Sequence, residues 1–161
     1  MADDALVELA AELGQALKAR GWMLVLAESC TGGGVAEAIT SVPGSSAWFE
    51  RGFVTYGNVA KIEMLDVRAE TLQEFGAVSE QTVREMVQGA LAHSHAQLGI
   101  AISGIAGPDG GTPGKPVGTI CFAWANTTGE LLSATCHFSG DRAAVRQQAV
   151  EHAIRGALQL T

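Results

Sequence analysis

Three residues carry side chains whose types and spacing could do chemistry together: Ser29, Tyr56 and Lys61. Ser29 lies in Ala27-Glu28-Ser29-Cys30-Thr31-Gly32-Gly33-Gly34, after the short apolar run Met23-Leu24-Val25-Leu26 and before a stretch of helical character. A hydroxyl at such a strand-to-helix junction has two uses. It can cap the helix, as serine and threonine commonly do. It can also attack an electrophile, while the unpartnered N–H groups and the positive dipole end of the helix hold an oxyanion or a phosphate. As a nucleophile it is weak and needs a base. No histidine and carboxylate stand in an obvious triad arrangement, whereas Lys61 offers the Ser-Lys alternative. A lysine accepts a proton only when neutral, and burial or a nearby positive potential lowers its pKa toward that state. Tyr56, the only tyrosine, has a hydroxyl able to relay a proton or to orient the lysine. Cys30 is a rival nucleophile, since a helix N-terminus lowers a thiol's pKa, but it has no evident partner.

Backbone N–H groups of Thr31, Gly32 and Gly33 are the candidate anion donors of this turn. Arg142 and Arg146 stand four residues apart in the sequence, so on a helix they share a face and form either a phosphate clamp or a solvated pair. Ser103 opens a Gly- and Pro-rich segment, residues 103–118, too long and too rich in special backbone residues for idle spacing. It leaves a strand end, where ligands collect in α/β sheets. The segment is neither a P-loop nor a placed dinucleotide fingerprint. His93, His95, His137 and His152 form no zinc-type spacing with each other or with Cys30, Cys121 and Cys136, so no metal is expected.

The elements that must position these residues follow from periodicity. Leu6, Leu9, Ala10, Leu13 and Leu17 recur at helical spacing and predict a helix over 4–19 that ends before Gly21. A strand over 23–27 leads through the serine turn into a helix over 31–40. A second strand is expected over 53–56, then a short helix begun by Asn58 that carries Lys61. Ser79 caps a long helix with Val83, Met86, Val87, Ala90 and Leu91 on its apolar stripe, followed by a strand over 98–102. Strands over 119–125 and 131–138 flank the turn 126–129 and predict an antiparallel hairpin. A helix over 141–160 closes the chain. The order implies a three-layer α/β/α sandwich with a mixed sheet and one domain over 1–161.

Composition narrows the class. The chain has 161 residues, of which 47% are hydrophobic and 17% charged, enough for a packed core. A net charge of −7 argues against a protein that wraps nucleic acid or coats an anionic membrane. Three cysteines without C-x-x-C spacing, and an acidic rather than basic N-terminus, predict a reduced cytoplasmic protein. No apolar run approaches membrane-spanning length.

Six segments, 27–33, 54–61, 76–79, 103–108, 111–118 and 138–142, together resemble the CinA C-terminal domain family in order and spacing over almost the whole chain. That family includes stand-alone nicotinamide-nucleotide amidases, which convert nicotinamide mononucleotide to nicotinate mononucleotide and ammonia in pyridine-nucleotide recycling. The resemblance implies Ser29 as nucleophile, Lys61 as general base and Tyr56 assisting, with no cofactor. It further implies the Thr31–Gly33 turn as oxyanion donors, Ser103 near the substrate, Arg142 and Arg146 on its 5′-phosphate, and self-association. Ser103 stands where the family usually has threonine, Gly57 where serine is frequent, and Asp109 where glycine is frequent. The alternative is a non-catalytic nucleotide-binding module, because the same domain occurs fused in competence- and damage-associated proteins.

Overall fold

The computed structural model describes residues 3–161. Helix α1, Asp4–Arg20, begins where the Asp3 carboxylate accepts from Leu6 N at 2.8 Å and ends at Gly21 in the left-handed region. Its apolar stripe is buried, as the spacing of its leucines requires. Strand β1, Leu24–Glu28, is buried throughout and leads into α2, Gly34–Thr40. After a 3-10 turn comes β2, Phe49–Val54, then α3, Asn58–Leu65, α4, Ala69–Phe75, and α5, Glu80–Ala92. Strands β3, Leu98–Gly104, β4, Thr119–Asn126, and β5, Leu131–His137, precede the closing helix α6, Arg142–Leu158.

The five strands form one sheet in the order β2-β1-β3-β4-β5. β1 runs parallel to both β2 and β3, while β3, β4 and β5 are antiparallel in turn. Alternation along the strands divides the core. Leu24, Leu26, Ile100, Ile102, Phe122 and Trp124 face α1, α2 and α6, whereas Val25, Ala27, Ala101, Cys121 and Ala123 face α3, α4 and α5. The sheet is thus covered on both faces, the sandwich that the sequence implies.

Small residues on the second face let α5 lie close to the sheet, and α5 in turn fixes α3. Gly89 of α5 touches the carbonyl of Leu65, the last residue of α3, and a Cβ at this glycine would stand 1.8 Å from that oxygen. The crossing holds α3, and with it Lys61, in a fixed place beside the ends of the parallel strands.

Three elements differ from the sequence expectation, one of them α2, which starts at Gly34 rather than at Thr31. The second strand occupies 49–54, not 53–56; it is an edge strand pairing with β1 alone, and its register shifts between Phe49 and Arg51, where Glu50 is the extra residue and its carboxylate accepts from Arg51 Nε, so the apolar pattern breaks there. Helix α4 was not expected at all: its seven residues bury only Thr71 and Leu72, too few for a periodic signal.

Candidate active site

The parallel register continues one residue past β1. Ser29 N donates to Ile102 O at 3.0 Å, and Thr55 N donates to Glu28 O at 2.8 Å. Ser29 therefore sits at the carboxyl edge of three adjacent parallel strands, where α/β sheets form their crevices. Beyond it the chain turns rather than coils: Gly32 N closes on Ser29 O at 3.0 Å and Gly34 N on Thr31 O at 2.8 Å. Gly32 and Gly33 take φ of 56° and 99°, a region that costs glycine nothing and other residues strain.

This geometry corrects the expected helix over 31–40. Left-handed residues cannot propagate a right-handed helix, so α2 starts at Gly34. Its N-terminus is not open to an anion either. The Glu28 carboxylate, buried at the end of β1, accepts from Val35 N at 2.9 Å, Ala36 N at 3.0 Å and Thr31 Oγ1 at 2.6 Å. It is an internal cap, satisfying the donors that open helices leave free. Among the described residues, the N–H groups of Cys30, Thr31 and Gly33 remain without a protein acceptor, while that of Gly32 is used in the turn.

Lys61 comes from the first turn of α3 and is only 1% exposed. Its Nζ lies 2.8 Å from Thr55 O, 3.0 Å from Tyr56 O and 3.0 Å from Ser29 Oγ. The carbonyls can only accept, so they claim two N–H bonds of the amine. The third direction faces the serine hydroxyl. A neutral amine has two hydrogens and one lone pair, so in that state its lone pair is aimed at Ser29 Oγ, as a general base requires. Burial lowers the Lys61 pKa and favours this neutral form. Close by, Thr55 Oγ1 is the buried side-chain polar atom left without a partner among the described residues.

Tyr56 meets this centre through its backbone, not through its hydroxyl. Its carbonyl orients Lys61, while its side chain is 59% exposed and its hydroxyl accepts from Arg142 Nη2 at 3.2 Å. The ring leaves the lysine because Tyr56 follows the end of β2, at the rim of the sheet. Arg142, the first residue of α6, also donates through Nη1 to Gly107 O at 2.7 Å, in the loop after β3. Arg146, one turn further, points elsewhere: its Nε donates to Cys30 O at 3.2 Å and its Nη2 to Thr31 O at 3.1 Å. The two arginines thus share a helix face but grip different segments. Ser103 is buried at the end of β3, and its hydroxyl bonds to neither Ser29 nor Lys61.

The rival thiol is suppressed. Burial first, and then the nearby Glu28 carboxylate, push Cys30 up to about 11, so it stays protonated at neutral pH. Glu28 is the functional residue that sequence reasoning passed over. A carboxylate ending a wholly buried strand, with a threonine three residues on and glycines after it, is a readable signal of such a cap.

The chain is similar to known proteins over nearly its whole length. A nicotinamide-nucleotide amidohydrolase PncC of Escherichia coli K12 is 57% identical over 155 residues, covering 96% of this chain and 94% of that protein. A protein of the same name from Pseudomonas putida is 51% identical, covering 98% of each. The crystal structure of the competence/damage inducible protein CihA from Agrobacterium tumefaciens superposes with a TM-score of 0.97 at 42% identity, covering 99% of this chain and 98% of that one. The model of the CinA C-terminal domain matches residues 6–161. With its serine turn, buried lysine and sandwich fold accounted for residue by residue, the chain belongs to the CinA C-terminal domain family.

Proposed function

We propose that this protein is a nicotinamide-nucleotide amidase, hydrolysing the carboxamide of nicotinamide mononucleotide through a Ser29–Lys61 acyl-enzyme. The observation that carries the reading is the lysine's coordination: two backbone carbonyls and Ser29 Oγ around a buried Nζ. The names of relatives at 57% and 51% identity support the substrate.

Neutral Lys61 takes the Ser29 proton as Oγ bonds to the carboxamide carbon. The carbonyl π pair moves onto oxygen, and the resulting oxyanion accepts from the N–H groups of Thr31 and Gly33. Collapse of the tetrahedral adduct breaks the C–N bond, and protonated Lys61 gives its proton to the departing ammonia. Water then attacks the acyl carbon, its proton passing to Lys61. A second collapse returns that proton to Ser29 and releases the carboxylic acid, which gives up its own proton to solvent. Substrate amide and water thus become acid and ammonia, with the lysine restored.

Arg142 is assigned to the 5′-phosphate. It stands at the rim with a tyrosine hydroxyl and a loop carbonyl as its partners, and a phosphate is a stronger acceptor than either. Ser103 is assigned to the floor of the substrate pocket. The reading carries with it pyridine-nucleotide recycling in the cytoplasm and self-association. Exposed Val54, Val59 and Ile62 beside the free edge of the sheet support the last. No helix among the described residues is long and apolar enough to cross a membrane.

The test is ammonia release from nicotinamide mononucleotide by the purified protein and by Ser29→Ala, with a chelator present throughout. Release that disappears in the variant supports the reading. A folded wild type that binds the nucleotide without releasing ammonia points instead to a binding module.

A further inference from the structure

We infer that Arg146 is a positioning residue of the nucleophile turn, fixing and polarising the peptide units that receive the oxyanion, and is not a ligand of the substrate's phosphate. The inference rests on the acyl-transfer role of Ser29 proposed above.

The turn is held from two sides by opposite charges. Glu28 takes its donors, the Thr31 hydroxyl and the N–H groups of Val35 and Ala36. Arg146 takes its acceptors, the carbonyls of Cys30 and Thr31, with two arms of one planar fork. Once both grips are made, the N–H groups of Cys30, Thr31 and Gly33 are the donors of this turn still open, beside Ser29.

The two carbonyls matter through the peptide units they belong to. The Cys30 carbonyl shares its amide with Thr31 N–H, one of the open donors. The Thr31 carbonyl shares its amide with Gly32 N–H, which closes the turn on Ser29 O. A carbonyl that accepts from a charged donor polarises its own N–H and strengthens it as a donor. Arg146 therefore acts on the open N–H and on the bond that sets the turn's shape, and its rigid fork fixes both peptide planes at once.

The space around Arg146 is wrong for a phosphate. The residue lines a cavity of about 380 Å³ whose other charged wall residues are Asp3 and Glu37, so an anion entering there meets two carboxylates. Lysine separates the two roles. It serves well as a point charge on phosphate but lacks the planar two-armed fork with which Nε and Nη2 hold the Cys30 and Thr31 carbonyls.

The experiment compares wild type, Arg146→Lys and Arg146→Gln on two substrates: nicotinamide mononucleotide, followed by ammonia release, and p-nitrophenyl acetate, which has no phosphate and acylates Ser29 with release of nitrophenolate. Ser29→Ala fixes the background of the ester reaction, and thermal midpoints identify variants that fold. The expected result is a loss of about 10- to 100-fold in kcat on the nucleotide for Arg146→Lys, with KM little changed, and a comparable loss in the ester acylation rate. Ester acylation at the wild-type rate in Arg146→Lys overturns the inference. So does a defect confined to the KM for the nucleotide. Wild type that the ester does not acylate at Ser29 overturns it as well, because the turn then builds no working oxyanion site. If the ester acylates wild type but the nucleotide yields no ammonia, the substrate reading fails while the ester rates still decide the role of Arg146.

Discussion

The site has a closed end and an open end, built by different means. At the closed end Glu28, Ser29 and Lys61 are buried, and their partners come from β1, the serine turn, α3 and the chain between β2 and α3. At the open end Tyr56 is mostly exposed, and Arg142 is held by its hydroxyl and by one carbonyl of the long loop after β3. The difference matches the two tasks proposed for the site. Proton transfer needs groups fixed to fractions of an ångström in a dry setting, whereas recognition of a charged, hydrated group can use exposed side chains that exchange one partner for another. Substitutions at the closed end are therefore expected to act on kcat, and those at the open end on KM.

The largest effect that sharpens this contrast is Lys61→Met, which keeps the buried stem and removes the proposed base. Steady-state kinetics should show kcat lower by about 10²- to 10⁴-fold with the nucleotide still bound. A loss seen only in KM would erase the distinction between the ends. Next is Arg142→Gln, which should raise KM for the nucleotide by about 10- to 100-fold, the loss of one charge-assisted contact, with a smaller change in kcat. A kcat defect as deep as that of Lys61→Met would move Arg142 to the closed end. The smallest effect concerns Gly57, which begins α3 in an extended conformation without a side-chain cap and with open space around its missing Cβ. Gly57→Ser should stabilise the fold by a few tenths of a kcal/mol, measured by denaturant unfolding, and leave both kinetic constants near wild type. A clear change in kcat would show that the start of α3 tunes Lys61 directly.

The sequence alone revealed part of each end, and Glu28 and Arg146 at the closed end were not read from it in their observed roles. Ser29 was legible as a candidate because a hydroxyl at a strand-to-helix junction is a local pattern, whereas Lys61 was singled out as its possible base and through the family resemblance. The helices with long apolar stripes, α1, α5 and α6, follow from side-chain period. What escaped depended on contacts between distant segments. Arg146 reaches the carbonyls of Cys30 and Thr31 across more than a hundred residues of chain. Its pairing with Arg142 on a helix face suggested a common clamp, but only packing decides what each one touches. The role of Tyr56 split for a similar reason: its backbone belongs to the closed end and its ring to the open one. The strand at 49–54 was hidden because an edge strand need not alternate cleanly, and its charged pair sits where a central strand would carry apolar side chains.

The central claim is that Lys61 is a neutral base aimed at Ser29. Burial favours the uncharged amine, so the folded protein binds its proton less tightly than free lysine, whose ordinary value is 10.5. Only the deprotonated form can accept from Ser29, and activity should therefore rise with pH through the lowered pKa of Lys61. The most direct measurement is an NMR titration of ¹⁵N-labelled lysine, assigned with Lys61→Met, alongside the pH profile of kcat/KM for ammonia release. The expected result is an Nζ midpoint below the ordinary lysine value that coincides with the rising limb of the profile. A midpoint at the ordinary value, or a limb that stays in place while Lys61 titrates elsewhere, would contradict it.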